Sequence, residues 1–260
     1  MATPEKRVVI SADADTLTAS VADRFFDRVA RWTGESDRPA VHIALTGGVI
    51  SAELLERIGV HPRRTEIDWS RVHFWWVDER FVPRAGDDRN EAVARRLFLD
   101  TIDVPAENVH AFPSSDEVTD PDAAAEAYAD ELARFATDAD TPWPTFDICF
   151  LGVGADAHIA SLFPDRPEIR ITDRATAAVR DSPKPPSERL TLTRPVLNAS
   201  KRVWMVLAGP DKSAALGLAL AGASYHSVPA AGAKGRRRTI LFTDEATAAQ
   251  VPAELIDDQY

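Results

Sequence analysis

Phe146-Asp147-Ile148-Cys149-Phe150-Leu151-Gly152-Val153-Gly154 is the stretch on which the fold turns. Its apolar residues run on without alternating and then stop at a glycine pair. A strand half-exposed to water alternates apolar and polar side chains, whereas a strand covered on both faces does not. The same pattern recurs along the chain. Val41 to Leu45 ends at Thr46-Gly47-Gly48, and Val72 to Val77 ends at Asp78-Glu79-Arg80. Val203 to Ala208 ends at Gly209-Pro210-Asp211-Lys212. Val8-Val9-Ile10, Ala175 to Val179 and Thr239 to Phe242 read as further strands.

Helical patterns separate these runs. Leu17, Val21, Phe25 and Val29 recur every four residues, as one buried face of a helix requires. Ser51 to Ile58, Asn90 to Leu99, Pro121 to Ala136 and Lys212 to Ala221 also read as helices, with Asn90 a candidate N-cap. Thr141-Pro142-Trp143-Pro144 forces an extended connector, and Ser182 to Ser187, with three prolines, is a loop. Strand–helix alternation of this kind predicts an α/β fold: a mostly parallel, twisted, Rossmann-like sheet with helices on both faces. No repeat or linker divides the chain, so residues 1–260 are expected to form a single domain.

Composition narrows the function. Hydrophobic residues make up 45% and charged residues 27% of the 260, the balance of a globular chain. No apolar run is long enough to span a bilayer. Met1 to Arg7 is polar and carries no signal-peptide pattern, and Cys149 is the single cysteine. These features predict a cytoplasmic protein without disulfides. The net charge of −11 disfavours nucleic acid and anionic lipid as partners. Arg236-Arg237-Arg238, the one dense basic cluster, reads as a solvated loop before a strand.

In open parallel sheets ligands gather beyond the carboxyl ends of the strands. Thr46-Gly47-Gly48, Asp78-Glu79-Arg80, Gly152 to His158 and Gly209 to Lys212 all sit there and are expected to share one crevice. Gly47 and Gly48 precede a helix whose free N–H groups suit an anion, though no Gly-Lys-Ser/Thr follows as in a P-loop. Arg80 offers a fork to phosphate or carboxylate, with Asp78 and Glu79 to orient it. Lys212 at a helix start opposes the helix dipole unless an anion binds there. Gly152, Gly154 and Ala157 match a dinucleotide fingerprint on the surface, but Pro164 cuts the following segment short. His158 is expected at a helix N-terminus, which would favour its neutral, proton-accepting form, with Asp156 two residues away to orient the ring. Of the other histidines, His42 and His73 lie in strands, His61 precedes a proline, and His110 and His226 fall in loops. No metal-ligand spacing appears, so no metal is expected. Ser161 lacks the Gly-x-Ser-x-Gly elbow of an α/β-hydrolase nucleophile.

Together these segments resemble the 6-phosphogluconolactonase family, over nearly the whole chain. Its Leu-Ser/Thr-Gly-Gly motif is similar to Leu45 to Gly48, and its Asp-Glu-Arg-x-Val-Pro motif to Asp78 to Pro83, with a trailing Asn90. Its Gly-x-Gly-x-Asp-Gly-His-x-x-Ser-Leu-Phe-Pro signature is matched by Gly152 to Pro164 with one change. Ser182 to Thr193, Gly209 to Lys212 and Val228-Pro229-Ala230 match three further motifs. The resemblance implies the fold of the sugar-phosphate isomerases and a cofactor-independent hydrolase of 6-phospho-D-glucono-1,5-lactone in the oxidative pentose phosphate pathway. It implies His158 as general base, and Gly47, Gly48, Arg80 and Lys212 as phosphate holders. Asp78 and Arg189 are possible substrate contacts. The implied partner is a small sugar-phosphate lactone, with the chain a monomer or weak homo-oligomer.

Three departures stand out. Ala157 replaces a glycine, Ile159 replaces a common threonine, and Val49-Ile50 replaces Ser-Thr after the glycine pair. A positive φ at Ala157 would cost about 1 kcal/mol. Two other functions stay open. A glucosamine-6-phosphate deaminase/isomerase shares the fold, but it reads Asp-Glu-Tyr where this chain has Asp78-Glu79-Arg80. A non-catalytic sugar-phosphate sensor is the other, motivated by Ala157.

Overall fold

The computed structural model describes residues 6–137 and 141–256; Met1 to Glu5, the start of the polar N-terminal stretch, lies outside the described residues. The first half runs β1 (Lys6–Ser11), α1 (Ala14–Thr33), β2 (Val41–Leu45), α2 (Val49–Gly59), β3 (Val72–Trp76), β4 (Asp78–Arg80), α3 (Asn90–Leu97), β5 (Val109–His110) and α4 (Pro121–Arg134). The second half runs β6 (Ile148–Gly152), β7 (Thr176–Val179), β8 (Arg189–Leu192), α5 (Arg194–Ala199), β9 (Arg202–Leu207), α6 (Ser213–Leu220), β10 (Arg238–Asp244) and α7 (Glu245–Ala248).

Seven strands form one sheet in the order β1-β10-β9-β6-β2-β3-β5, and every pairing in it is parallel. From β2 the chain moves outward to β3 and β5, then returns to β6 and moves the other way through β9 to β10. The order therefore reverses between β2 and β6, and a crevice opens there beyond the strand ends.

Residue parity assigns the two faces. Phe74, Phe150, Trp204 and Phe242 point to one side, where Phe150 meets Phe25 of α1 with ring centroids 6.1 Å apart and Phe74 meets Phe98 at 5.4 Å. Trp75 points to the other side, against Tyr128 of α4 at 6.1 Å. The expected helices on both faces are thus present. The buried face of α1 carries the four residues read from the sequence, and Asp13 with Thr16 forms a reciprocal cap at its start.

The sequence reading missed a second sheet, three antiparallel strands in the order β4-β8-β7. Val77 couples the sheets: its N–H donates to Leu45 O at 2.8 Å, and its carbonyl accepts from Leu192 N at 2.8 Å. Asp78-Glu79-Arg80 does leave the large sheet, but it continues as β4 with Asp78 and Glu79 buried. Helix α4 packs on the small sheet, where Thr176 Oγ1 donates to Ala125 O at 2.7 Å. His110 also departs from expectation, lying in the short strand β5 rather than in a loop.

Candidate active site

The carboxyl-edge loops converge on one cleft of about 500 Å³. Gly47, Gly48, Asp78, Arg80, Gly154, His158, Arg189 and Lys212 all line it, so the segments selected from sequence do share a crevice. Asp156 is not on the wall but contacts His158 from behind.

Two glycines bring the walls close. A Cβ on Gly47 would sit 1.9 Å from Asn90 Oδ1, and one on Gly154 would sit 2.0 Å from His158 Nδ1. Helix α2 begins right after Gly48, which has φ 103° and provides no side-chain cap. Its first N–H groups therefore face the cleft unsatisfied, a natural seat for an anion. Val49, 79% exposed, stands at the mouth of the cleft where the resembling motif has a hydroxyl.

The buried acids of β4 explain how Arg80 is held. Glu79 accepts N–H bonds from Arg80 (2.8 Å), Asn90 (2.7 Å) and Glu91 (2.9 Å), so its carboxylate caps α3. Burial pushes Glu79 up to about 7, against the pull of Arg89 and these donors. Asn90 is thus not the N-cap that the sequence suggested. The helix starts on it, Arg89 precedes it without a side-chain cap, and its amide is left free to work elsewhere. Asn90 Nδ2 donates to Asp78 O at 2.9 Å, and Asn90 Oδ1 accepts from Arg80 Nη1 at 2.6 Å. Arg80 Nη1 also donates to Asp88 O at 2.7 Å. Asp78 accepts from Ser161 Oγ at 2.8 Å, which gives Ser161 a structural partner.

His158 does not begin a helix. Ala157 and Ala160 adopt φ of 65° and 49°, and Ile159 makes isolated bridges to Val153 and Leu162. Left-handed residues at this spacing break the helical path, so the segment folds as a tight loop. A helix dipole is therefore not what conditions the imidazole. Asp156 is: its Oδ1 lies 2.6 Å from His158 Nδ1. Partial burial works against ionising Asp156, but the hydrogen bond and charge of His158, with Lys184, hold its carboxyl well below the usual range. A carboxylate on Nδ1 fixes the proton there and leaves Nε2 able to accept one.

Lys184 is a cleft residue that sequence reasoning passed over. Its Nζ lies 3.3 Å from His158 Nδ1 and 3.4 Å from Asp156 Oδ1. Only its place in the proline-rich 182–187 loop hinted at a role. Arg189 is buried and donates to the carbonyls of Lys184 (3.2 Å), Pro185 (2.8 Å) and Pro186 (3.3 Å), so it anchors that loop beside the cleft. Lys212 Nζ pairs with the exposed Asp211 at 3.0 Å. The Gly209 turn ahead of it, at φ 98°, is fixed by Asp244, which accepts Gly209 N at 3.1 Å. Among the described residues no three metal-ligating side chains converge.

Fold and cleft define an open α/β protein with a basic ligand crevice at its topological switch point. The model of the family described as glucosamine-6-phosphate isomerases/6-phosphogluconolactonase matches residues 12–242. A 6-phosphogluconolactonase of Streptomyces coelicolor is 40% identical over 252 residues, covering 96% of each chain. One of Mycobacterium tuberculosis is 41% identical over 248 residues, covering 95% of this chain and 98% of that protein. The crystal structure of a 6-phosphogluconolactonase from Thermotoga maritima superimposes with a TM-score of 0.77 at 25% identity, covering 92% of this chain and all of that one. The chain belongs to the glucosamine-6-phosphate isomerase/6-phosphogluconolactonase family.

Proposed function

We propose that this chain hydrolyses 6-phospho-D-glucono-1,5-lactone to 6-phospho-D-gluconate, with His158 as general base. The observation that carries this reading is the Asp156–His158 pair at one wall of a cleft whose other walls hold Arg80, Lys212 and the start of α2. His158 Nε2 takes a proton from water as the water oxygen attacks the lactone carbonyl. The tetrahedral oxyanion then collapses, the bond to the ring oxygen breaks, and that oxygen takes up the proton held by His158, which restores the base. Lys184, beside the imidazole, supplies positive charge to the region where the oxyanion develops. The phosphate, held by Arg80, Lys212 and the α2 N–H groups, fixes the lactone for attack. Asp78 acts through Asn90 on Arg80, and Arg189 acts through the loop that carries Lys184.

On this reading the partner is a free small molecule, with no nucleic acid, membrane or cofactor involved. The whole chain acts as one domain, a monomer or weak homo-oligomer, in the cytoplasm. The relevant structural fact is that no helix among the described residues is long and apolar enough to cross a membrane. The deaminase alternative is disfavoured by Arg80 in place of a tyrosine and by Ser161-Leu162-Phe163-Pro164 in place of Phe-Asn-Glu-Pro.

The test is a paired assay on the purified chain. Lactone opening well above the spontaneous rate, with no ammonia released from glucosamine 6-phosphate, is the expected result. Ammonia release would establish the deaminase, and binding without turnover would establish the sensor.

A further inference from the structure

The amino edge of the large sheet holds a second cleft, of about 550 Å³, that the proposed reaction does not use. It sits where β2, β6 and β9 begin, at the opposite end of the strands from His158. Five-residue strands set the two clefts roughly 16 Å apart. Arg38, Lys201, Arg236 and Arg237 line it, with Asp147 and His42.

Its charges are arranged rather than scattered. Buried Asp147 accepts from both Arg38 and Lys201, the latter at 2.7 Å, and from His42 N at 3.0 Å. One carboxylate thus fixes two cations on the cleft wall. Arg236 N and Arg237 N donate to Ser200 O and Lys201 O, each at 2.8 Å, which pins the basic run alongside. The Arg236 and Arg237 side chains are exposed and have no hydrogen-bonding or ion-pair partner among the described residues. Positive charge is crowded next to the cleft: burial first, then the charges of Arg28 and Arg237, brings Arg202 down to about 10. His42 adds no charge, since burial and the nearby histidines hold it near 3. Arg38 also pairs with Glu35 at 3.6 Å, so among the described residues four cations meet two carboxylates here, an excess of positive charge in a chain whose net charge is −11. Such local reversal of charge is unfavourable without an anion to neutralise it.

We propose that this cleft is a second anion site, which takes a small molecule carrying two phosphate groups. Concavity favours a small ligand over a docked macromolecule, and the polar walls favour phosphates over an aromatic base. One phosphate sits between Arg236 and Arg237, unpaired among the described residues, and the other on the open side of Lys201, which Asp147 holds on the cleft wall.

Calorimetric titration with pyrophosphate tests the site, with Lys212→Ala used to weaken any binding in the first cleft. The expected result is a site that persists in Lys212→Ala and weakens at least tenfold in Arg236→Ala/Arg237→Ala. Arg237→Gln alone should weaken it less. Inorganic phosphate should bind at least tenfold more weakly than pyrophosphate. Three outcomes overturn the proposal: equal binding of the two anions, a single site lost with Lys212, or a site unaffected by the double change. Sedimentation checks the macromolecular alternative: self-association abolished by Arg236→Ala/Arg237→Ala, with pyrophosphate binding intact, would make the patch a protein contact instead.

Discussion

Asp156 Oδ1 and His158 Nδ1 lie 2.6 Å apart, across a single residue, Ala157, whose φ is 65°. The turn between them is closed by Gly154 N donating to His158 O at 3.0 Å and Ala157 N donating to Gly154 O at 2.9 Å. The carboxylate and the imidazole are thus held by one loop rather than brought together from distant elements.

His158→Ala or His158→Asn is expected to lower kcat for the phosphorylated lactone by ~10²–10⁴-fold, the usual worth of a positioned base. Asp156→Asn should lose a smaller part, since the ring stays but its tautomer is no longer fixed. Circular dichroism should show all three variants folded. Near wild-type kcat in a folded His158 variant would remove it from the reaction.

Ala157→Gly is expected to keep or raise kcat and to raise stability by up to about 1 kcal/mol, because glycine adopts positive φ without a Cβ penalty. Ala157 is almost fully buried, so the methyl is also a packing contact. A tenfold loss of activity would show that this contact, and not backbone strain, governs the loop.

Gly47 and Gly48 separate two kinds of glycine requirement. Gly47→Ala puts a methyl into Asn90 Oδ1, the acceptor that holds Arg80, and should raise KM for the phosphorylated lactone at least tenfold. A methyl on Gly48 meets nothing within 4 Å, so Gly48→Ala should cost only about 1–2 kcal/mol of stability through its φ of 103°. Equal effects on KM would show that Asn90 does not transmit position to Arg80.

The glycine turns and the charged strand exits were legible because backbone geometry and burial demand those residue types locally. The small sheet was not. Its strands span three or four residues and β4 is wholly charged, so only β7 was read as a strand, and nothing in the pattern joined it to β4 and β8 in a separate sheet. Its burial is tolerable because Glu79 takes three N–H bonds from its own backbone neighbour and from α3, which lie together only once the chain has folded. Lys184 was hidden for a similar reason: Arg189, on a different segment, turns its loop into the cleft. The helix expected after His158 failed because two alanines took left-handed conformations, which composition does not signal.

Acid should destabilise the fold through the histidines on the amino side of the sheet. Burial, then the nearby histidines, lowers His42 to about 3 and His73 to about 4, and burial also lowers His110. The unfolded chain binds protons at about pH 6.5, before the folded one does. Stability from these groups is therefore complete above that pH and declines as pH falls toward 4. His73→Gln keeps a polar partner for His110 Nε2, which lies 2.9 Å from His73 Nδ1, and cannot titrate in this range. It should reduce the stability lost between about pH 7.5 and pH 5 by roughly 1 kcal/mol, a figure halved because the ring is partly exposed. Thermal melts at the two pH values measure this. An unchanged pH slope would mean that His73 protonates equally in both states.

Selectivity for the phosphorylated substrate should depend on Lys212. The chain carries −11, and a phosphomonoester carries close to two negative charges, so long-range charge opposes binding. Local groups must overcome it, and within a Debye length they can. Arg80 is already tied at Nη1 to Asn90 and Asp88, so it offers its remaining N–H groups from a fixed position. Among the described residues Lys212 pairs only with Asp211, which is largely exposed, so an incoming phosphate has a weak competitor to displace. Lys212→Ala should then cost the phosphorylated lactone roughly 1.5–3 kcal/mol in kcat/KM, the worth of a charge-assisted hydrogen bond. The unphosphorylated lactone makes no such contact, and its hydrolysis should hardly change. Measuring kcat/KM for both lactones, with spontaneous hydrolysis subtracted, separates the cases. Equal losses for the two would place Lys212 in folding or in the chemical step, and the phosphate would have to be assigned to Arg80 and the α2 N–H groups alone.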